Sequence, residues 1–285
     1  MEIIFESTGS TAGLENWLSS FKQINDSLLI EVDTNNEQFV AKTHTTDKTI
    51  VKYGKLSFES AGLKVASVTG SDKKKVGLEE WNEVNNSVRI KVGIFQVIDK
   101  FIKVVNRFSG TDGHKIIIKF AGADYVAQSV AFKSAALDMM VTCADIDEFV
   151  YISDDKFLNG IAAIDNPMSF EVNLDINKSL LDISSIFSAD AKKDIVDFST
   201  VKSGNDWILH AVDRNGQSYD YKIAYLSEAS DPVEITVPVI RNNYLLATKG
   251  DTANSVITLP GIDGGGKIKI ASGDNFITII ASVRV

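Results

Sequence analysis

The sequence predicts an α+β protein of two similar halves, each packing two amphipathic helices against mostly antiparallel strands. Three observations carry this. The order strand, helix, three strands, then strand, helix, three strands recurs in both halves. The turns between strands are short and rich in Asn, Asp, Gly and Thr, which is hairpin chemistry and not crossover chemistry. Positive charge gathers on the helices, while carboxylates favour strands, turns and a connector between the halves.

Ile3 to Phe5 begin the first strand, and Ser10 or Thr11 caps the helix that follows. Leu14, Trp17, Leu18, Phe21 and Ile24 recur at three- and four-residue steps, the mark of one buried helix face. Asn25-Asp26 turns the chain into the strands SLLIEVD, QFVAKTHTT and TIVKYGKLSF. Residues 70–86 are polar, with a Lys73-Lys74-Lys75 run, and read as a surface loop holding at most one helical turn. From Ser87 to Gly110 a strand (Val88, Ile90, Val92) feeds the best-formed helix, with Ile98, Phe101, Ile102, Val105 and Phe108 on one side. Lys100, Lys103 and Arg107 form a stripe on the other side. Asp99 in the first turn and Arg107 in the last follow the charge order a helix dipole favours, and Gly110 is a stop signal. HKIIIKFAG and YVAQSVAFKSAALDMMVTCA are strands, the second long or broken in two.

DIDEFVYISDDKFLNGIAAIDNP (145–167) breaks the pattern, with Ser153 as a helix cap and Asn166-Pro167 as a stop. The expected division is a first domain at 1–150, a connector at 151–167 and a second domain at 168–285. In the second half MSFEVNLDI is a strand, and Leu180, Leu181, Ile183, Ile186 and Phe187 mark a helix face. DIVDFSTVKS, DWILHAVDR and YDYKIAYL follow, with hairpin signals at 203–205 and 214–216. VEITVPV, a weaker helix in IRNNYLLATKGDTA, and the strands SVITL, GKIKIAS and FITIIASVRV complete the chain.

The chain has 285 residues, a net charge of -9, one cysteine and three histidines. A single cysteine excludes an internal disulfide framework. No stretch approaches the ~20 apolar residues of a membrane helix. MEIIFESTGS lacks the basic and apolar regions of a leader, so a cytoplasmic protein is expected, in a bacterial or phage-infected host cell, with no membrane partner. No catalytic constellation emerges, and neither a cofactor nor a metal is expected. GIDGGGKIKI has the wrong spacing for a phosphate loop and leads into a strand, so it reads as a hairpin turn. DIDE lacks the glycine and spaced carboxylates of a calcium loop. Cys143 reads as a buried thiol in an apolar strand.

The remaining signal is charge. Lys22, Lys100, Lys103, Arg107, Lys178, Arg241 and Lys249 fall on the four expected helices, against Glu15, Asp99 and Asp182. Any amphipathic helix carries Lys and Arg on its wet face. Four such faces in an acidic chain are instead the footprint of a surface that meets phosphate. No aromatic residues stand among these cations, so single-strand stacking is not indicated.

Three stretches, LENWLSSFKQINDSLLIEVDTNNEQFVAKTHTTDKTIVKY (14–53), KVGIFQVIDKFIKVVNRF (91–108) and FEVNLDINKSLLDISSIF (170–187), resemble the DNA sliding clamps, within them the phage processivity factors of the T-even type. The order of elements resembles theirs over nearly the whole chain, while residue identity is loose. Residues 70–86 and the connector look longer than the phage pattern. An acidic connector is also seen in proliferating cell nuclear antigen, which has the same architecture. The resemblance implies a DNA-clamp fold and three copies closing a six-domain ring around duplex DNA. The sheets would lie outside and the helices inside. It implies a non-enzymatic processivity factor that serves a DNA polymerase, is placed by a clamp loader, and binds partner peptides near the connector and the C-terminal strand. Phe157, Leu158, Ile161, Val283 and Val285 occupy those positions here. The alternative from the residues alone is a β-rich structural or binding protein of a virion or cell surface, which the basic helices and the missing leader disfavour.

Overall fold

Alternation sets the first strand, β1 (Glu2–Ser7): Ile3 and Phe5 are fully buried, and Glu2, Ile4 and Glu6 face the other way. The computed structural model describes residues 1–86, 88–108, 113–165, 167–172, 195–213, 216, 218–226, 234–240, 243, 247, 254–260, 266–273 and 275–281. Contacts divide the chain into two units, 1–43 with 54–151, and 44–53 with 152–285.

In the first unit β1 leads to α1 (Ala12–Lys22), which buries Leu14, Trp17, Leu18 and Phe21. The Ser10 hydroxyl accepts from the Ala12 N–H at 3.2 Å, whereas Thr11 at the cap position makes no such bond. Gly13 has no space for a Cβ, which would lie 2.0 Å from the Ser60 carbonyl oxygen. β2 (Leu28–Asp33), β3 (Gln38–His44) and β4 (Ile50–Ser57) follow as the sequence predicts. A fourth strand, β5 (Leu63–Thr69), was not anticipated; it pairs antiparallel with β1. Residues 70–86 also differ from the expected loop. They hold the short β6 (Lys75–Val76) and a two-turn helix, α2 (Leu78–Val84). Trp81, 5% exposed, anchors that helix, and Glu79 and Glu80 suit its N-terminal dipole.

β7 (Arg89–Ile94), α3 (Ile98–Phe108), β8 (Lys115–Ala121), β9 (Val126–Lys133) and β10 (Asp138–Thr142) complete this unit. The second expected strand is therefore two, joined at 134–137. The pairing order runs β6–β5–β1–β8–β9–β10, all antiparallel, and β3–β2–β7 joins at β9 through one parallel step, Lys91 to Val126. The core is aromatic. Phe5 meets Phe58 edge-on at 5.0 Å, Trp17 meets Phe21 at 5.0 Å, and Phe101 and Phe108 flank Phe132 at 5.5 and 5.6 Å. Burying each such ring is worth about 2–3 kcal/mol.

The end of this unit is fastened to the outer face of β2 and β7. The Ala144 N–H donates to the Gly93 carbonyl at 3.0 Å, and Phe149 stands edge-on to Phe95 at 6.1 Å. A Cβ on Gly93 would lie 2.7 Å from the Phe149 ring and 2.8 Å from the Ala144 oxygen, so only glycine permits this approach. Tyr151 donates its hydroxyl to Glu31 at 3.1 Å.

The second unit contains β11 (Pro167–Val172), β12 (Ile195–Ser203), β13 (Asp206–Asp213), β14 (Ser218–Tyr225), β15 (Thr236–Ile240), β16 (Ser255–Pro260), β17 (Lys267–Ser272) and β18 (Phe276–Ala281). Its pairings are β15–β12–β13–β14 and β14–β11–β16–β17–β18. The segment 44–53, carrying the start of β4, belongs to this unit. β18 pairs with β4, and the Ala281 N–H donates to the Thr49 carbonyl at 2.8 Å. Lys52 is fully buried there, its Nζ 4.7 Å from the Phe276 ring and 3.4 Å from the Ala247 carbonyl oxygen. The expected helix over 180–187, nearly all of the one in 240–253, and the 261–265 turn lie outside the described residues.

Candidate nucleic-acid interface

α1 and α3 pack side by side, and two polar links fix their direction. At one end Lys22, the last residue of α1, pairs with Asp99 in the first turn of α3. At the other end Asn106 donates its side-chain N–H to Glu15 Oε1 at 2.7 Å. The links are seven residues apart on each helix, about 10 Å along the axis, so the helices run antiparallel. Asp99 and Asn106 form the row of α3 facing α1, and Lys100 and Arg107, with the same spacing, form a row farther from it. Lys103 lies between the two rows.

Asp99 is the electrostatic centre of this face. It receives Lys22 on Oδ1 and Lys103 on Oδ2, the latter at 2.9 Å. These two bonds lower its pKa from 3.8 to about 2, so it is an anion at any physiological pH. All three groups are solvated, the Lys103 side chain most of all at 74% exposed. Lys100 and Arg107 are exposed and have no ion-pair partner among the described residues. The structure therefore brings together four of the seven cations expected to meet DNA: Lys22, Lys100, Lys103 and Arg107. Lys178, Arg241 and Lys249 lie outside the described residues.

The positions expected to meet partner peptides separate by burial. Phe157 is fully buried, stacked on Tyr53 with ring centroids 5.2 Å apart and planes at 19°. It anchors its segment and offers no surface. Leu158 is 42% exposed and Ile161 half-buried. Their turn, Phe157–Ile161, follows the short helix Asp154–Lys156, which Ser153 caps. Lys267 Nζ binds the Gly160 and Ile161 carbonyls at 3.2 and 2.7 Å, and burial lowers its pKa. Val283 and Val285 lie outside the described residues.

One charged cluster was missed in the sequence. Glu31 and Asp33 on the outer face of β2 are 3% and 4% exposed. Glu31 takes Lys42 at 2.9 Å and Arg89 at 3.3 Å, and Asp33 takes Arg89 at 3.2 Å. The Tyr151 ring covers them, with Lys42 and Lys91 Nζ at 5.9 and 5.4 Å from its centroid. The signal was present in the register of LLIEVD against RIKVGI, which sets Glu31 opposite Lys91 and Asp33 opposite Arg89.

Cys143 is half-buried, and burial pushes its thiol up to about 11. DIDE forms a single helical turn at Ile146–Glu148, with Asp145 accepting from the Asp147 N–H. Among the described residues no helix is long and apolar enough to cross a membrane.

No protein-family model matches the sequence, and no curated protein matches it. Solved structures do match the fold. Proliferating cellular nuclear antigen of Entamoeba histolytica superposes with a TM-score of 0.63 at 11% identity, covering all of both chains. That of A. fulgidus, solved with the C-terminal region of FEN-1 bound, gives 0.61 at 9% identity over 100% of this chain and 98% of the other. The DNA polymerase sliding clamp of Bacillus subtilis gives 0.63 at 12% identity over 99% of this chain, which spans 64% of that longer one. With α1 and α3 paired in the first unit and the match running end to end, the chain has the fold of the DNA sliding clamps.

Proposed function

We propose that this protein is a sliding clamp, a ring that encircles duplex DNA and tethers a replicative polymerase. The observation that carries the reading is the end-to-end match of the fold to a proliferating cellular nuclear antigen. The exposed Lys22, Lys100, Lys103 and Arg107 on α1 and α3 support it, since diffuse cations attract duplex DNA without reading sequence. By the sequence repeat, Lys178, Arg241 and Lys249 are the second-half positions that would serve the same contact. The reading assigns no catalytic role, and the virion or cell-surface alternative gains no support from these matches.

The internal repeat supports ring closure by copies of this chain. β18, the last described strand of the second half, pairs with β4, the third strand after the first helix. Their counterparts one half away are β10 and β14. Among the described residues β10 has only β9 beside it, and its Met140 is 68% exposed. An open edge of this kind invites a strand. β11 pairs with β14 only at Ala224 and Tyr225, so pairing β10 of one copy with the 218–223 stretch of β14 in the next is head-to-tail and would close a ring, three copies giving six domains.

Two of the matched clamps hold partner segments, the FEN-1 region and, in the Helicobacter pylori beta clamp, a DNA ligase peptide. In this chain such a peptide would meet Leu158 and Ile161 with Val283 and Val285, on the turn that Phe157 anchors. The test is native mass measurement with primer extension on a circular template, using the cognate polymerase and loader. A trimer that lengthens the products is expected, with Lys100→Glu and Arg107→Glu together shortening them while leaving the trimer intact. A monomer without effect on product length would overturn the reading.

A further inference from the structure

Of the carboxylates on α1 and α3, Glu15 accepts from the Asn106 amide, and Asp99 is the one paired with lysines. An anion on a face meant for phosphate is unfavourable unless it has a task of its own. Asp99 binds two of the four cations described there, and those two come from different helices. Lys22, Asp99 and Lys103 together carry one net positive charge in place of two. Lys100 and Arg107, on the row farther from α1, keep their full charge. We infer that Asp99 limits the grip of this face on duplex DNA. It holds Lys22 and Lys103 in ion pairs that a phosphate must exchange with, and leaves Lys100 and Arg107 as the standing contacts.

This inference rests on the clamp reading and concerns how tightly the same face binds. The pairs are solvated and therefore individually weak, so they exchange readily. A phosphate passing Lys22 or Lys103 finds a ready competitor in Asp99, which returns the lysine once the phosphate has gone. Asp99 is thus a positioning residue that trades affinity for mobility. A brace between helices would alone require only one lysine. The second, Lys103, lies on the same helix four residues on and adds nothing to the α1–α3 link.

The experiment is fluorescence anisotropy of a short labelled duplex with the full chain over a series of KCl concentrations. Asp99→Asn should tighten binding several-fold at low salt. It should also steepen the dependence of log K on log salt by about one, the value for one more phosphate contact. Asp99→Glu, which keeps the charge, should stay near the parent. In a Lys22→Gln, Lys103→Gln background the effect of Asp99→Asn should vanish. Single-molecule tracking should show slower diffusion of Asp99→Asn along DNA.

An Asp99→Asn slope equal to the parent's, with Lys100→Ala and Arg107→Ala still flattening it, would overturn the inference and leave the clamp reading intact. An equal shift in the glutamine background would also overturn it, because general charge and not pair-holding would be at work. Indifference of binding to all these changes would remove the DNA-facing assignment and the inference with it. Thermal unfolding of each variant separates loss of grip from loss of fold.

Discussion

Lys22 closes α1, Asp99 opens α3, and their side chains meet although 77 residues separate them in sequence. The pair joins the two helices at one end and sets where charge stands on their exposed face.

The link is pH-dependent with a defined sign. The folded-state pKa of Asp99 is depressed from 3.8 to about 2 by hydrogen bonds from Lys22 and Lys103. Its contribution is therefore complete above the unfolded value and is lost as pH falls from about 4 toward 2. A carboxyl-detected NMR titration should place the Asp99 midpoint near 2, and Lys22→Gln should raise it. A midpoint at the ordinary aspartate value would show that the pairing does not form in solution.

Glu31 is a different kind of acid. It is buried, serves Lys42 and Arg89, and accepts from Tyr151. Glu31→Gln leaves the buried Lys42 ammonium without its carboxylate and should cost about 3–5 kcal/mol in urea unfolding. Tyr151→Phe removes one hydrogen bond and should cost about 1 kcal/mol. Equal effects of the two would mean the cluster is not the buried charge network described above.

Gly93 should tolerate no side chain. Gly93→Ala drives a methyl into Phe149 and the Ala144 carbonyl and should destabilise by about 1–3 kcal/mol. The strain falls on the segment fastened to β7, so protease cleavage within 144–158 should accelerate more than cleavage elsewhere. Unchanged cleavage there would show that the segment is not held at Gly93.

Cys143 should be a slow nucleophile. Burial raises its thiol from 9.0 to about 11, so at pH 8 the thiolate fraction is about a hundredfold below that of an ordinary cysteine. Reaction with a thiol reagent should be slowed to a similar degree and recover in denaturant. Rapid reaction of the folded protein would contradict the burial.

The two long helices of the first unit were legible because their apolar spacing is their burial pattern. Leu14, Trp17, Leu18 and Phe21, and Ile98, Phe101, Ile102, Val105 and Phe108, are all buried. Strand positions in the second half were legible for the same reason, since alternation in DWILHAVD and KIKIAS carries into β13 and β17. α2 was not legible, because Leu78, Trp81 and Val84 give too short a run to read as a period, and only Trp81 of the three is buried. β5 was overlooked because Lys64, Ala66 and Ser67 dilute its apolar signal. At the candidate interface, the cations of α3 could be read as a stripe. Which of them Asp99 holds could not, because Lys22 reaches it only through the packing of α1 on α3. The outer cluster around Glu31 was hidden by the assumption that charges on a strand point to water.

The seam between β18 and the segment 44–53 has a consequence for biosynthesis. The second unit's sheet borrows an edge from residues 44–53 and closes it with β18, at 276–281. The borrowed segment must wait for its neighbour through the making of more than two hundred intervening residues. Contacts of such high sequence separation form slowly. A C-terminal fragment starting at Ile152 would keep β17 beside β18 but open its other edge, and adding a peptide spanning 44–53 in trans should cover that edge again.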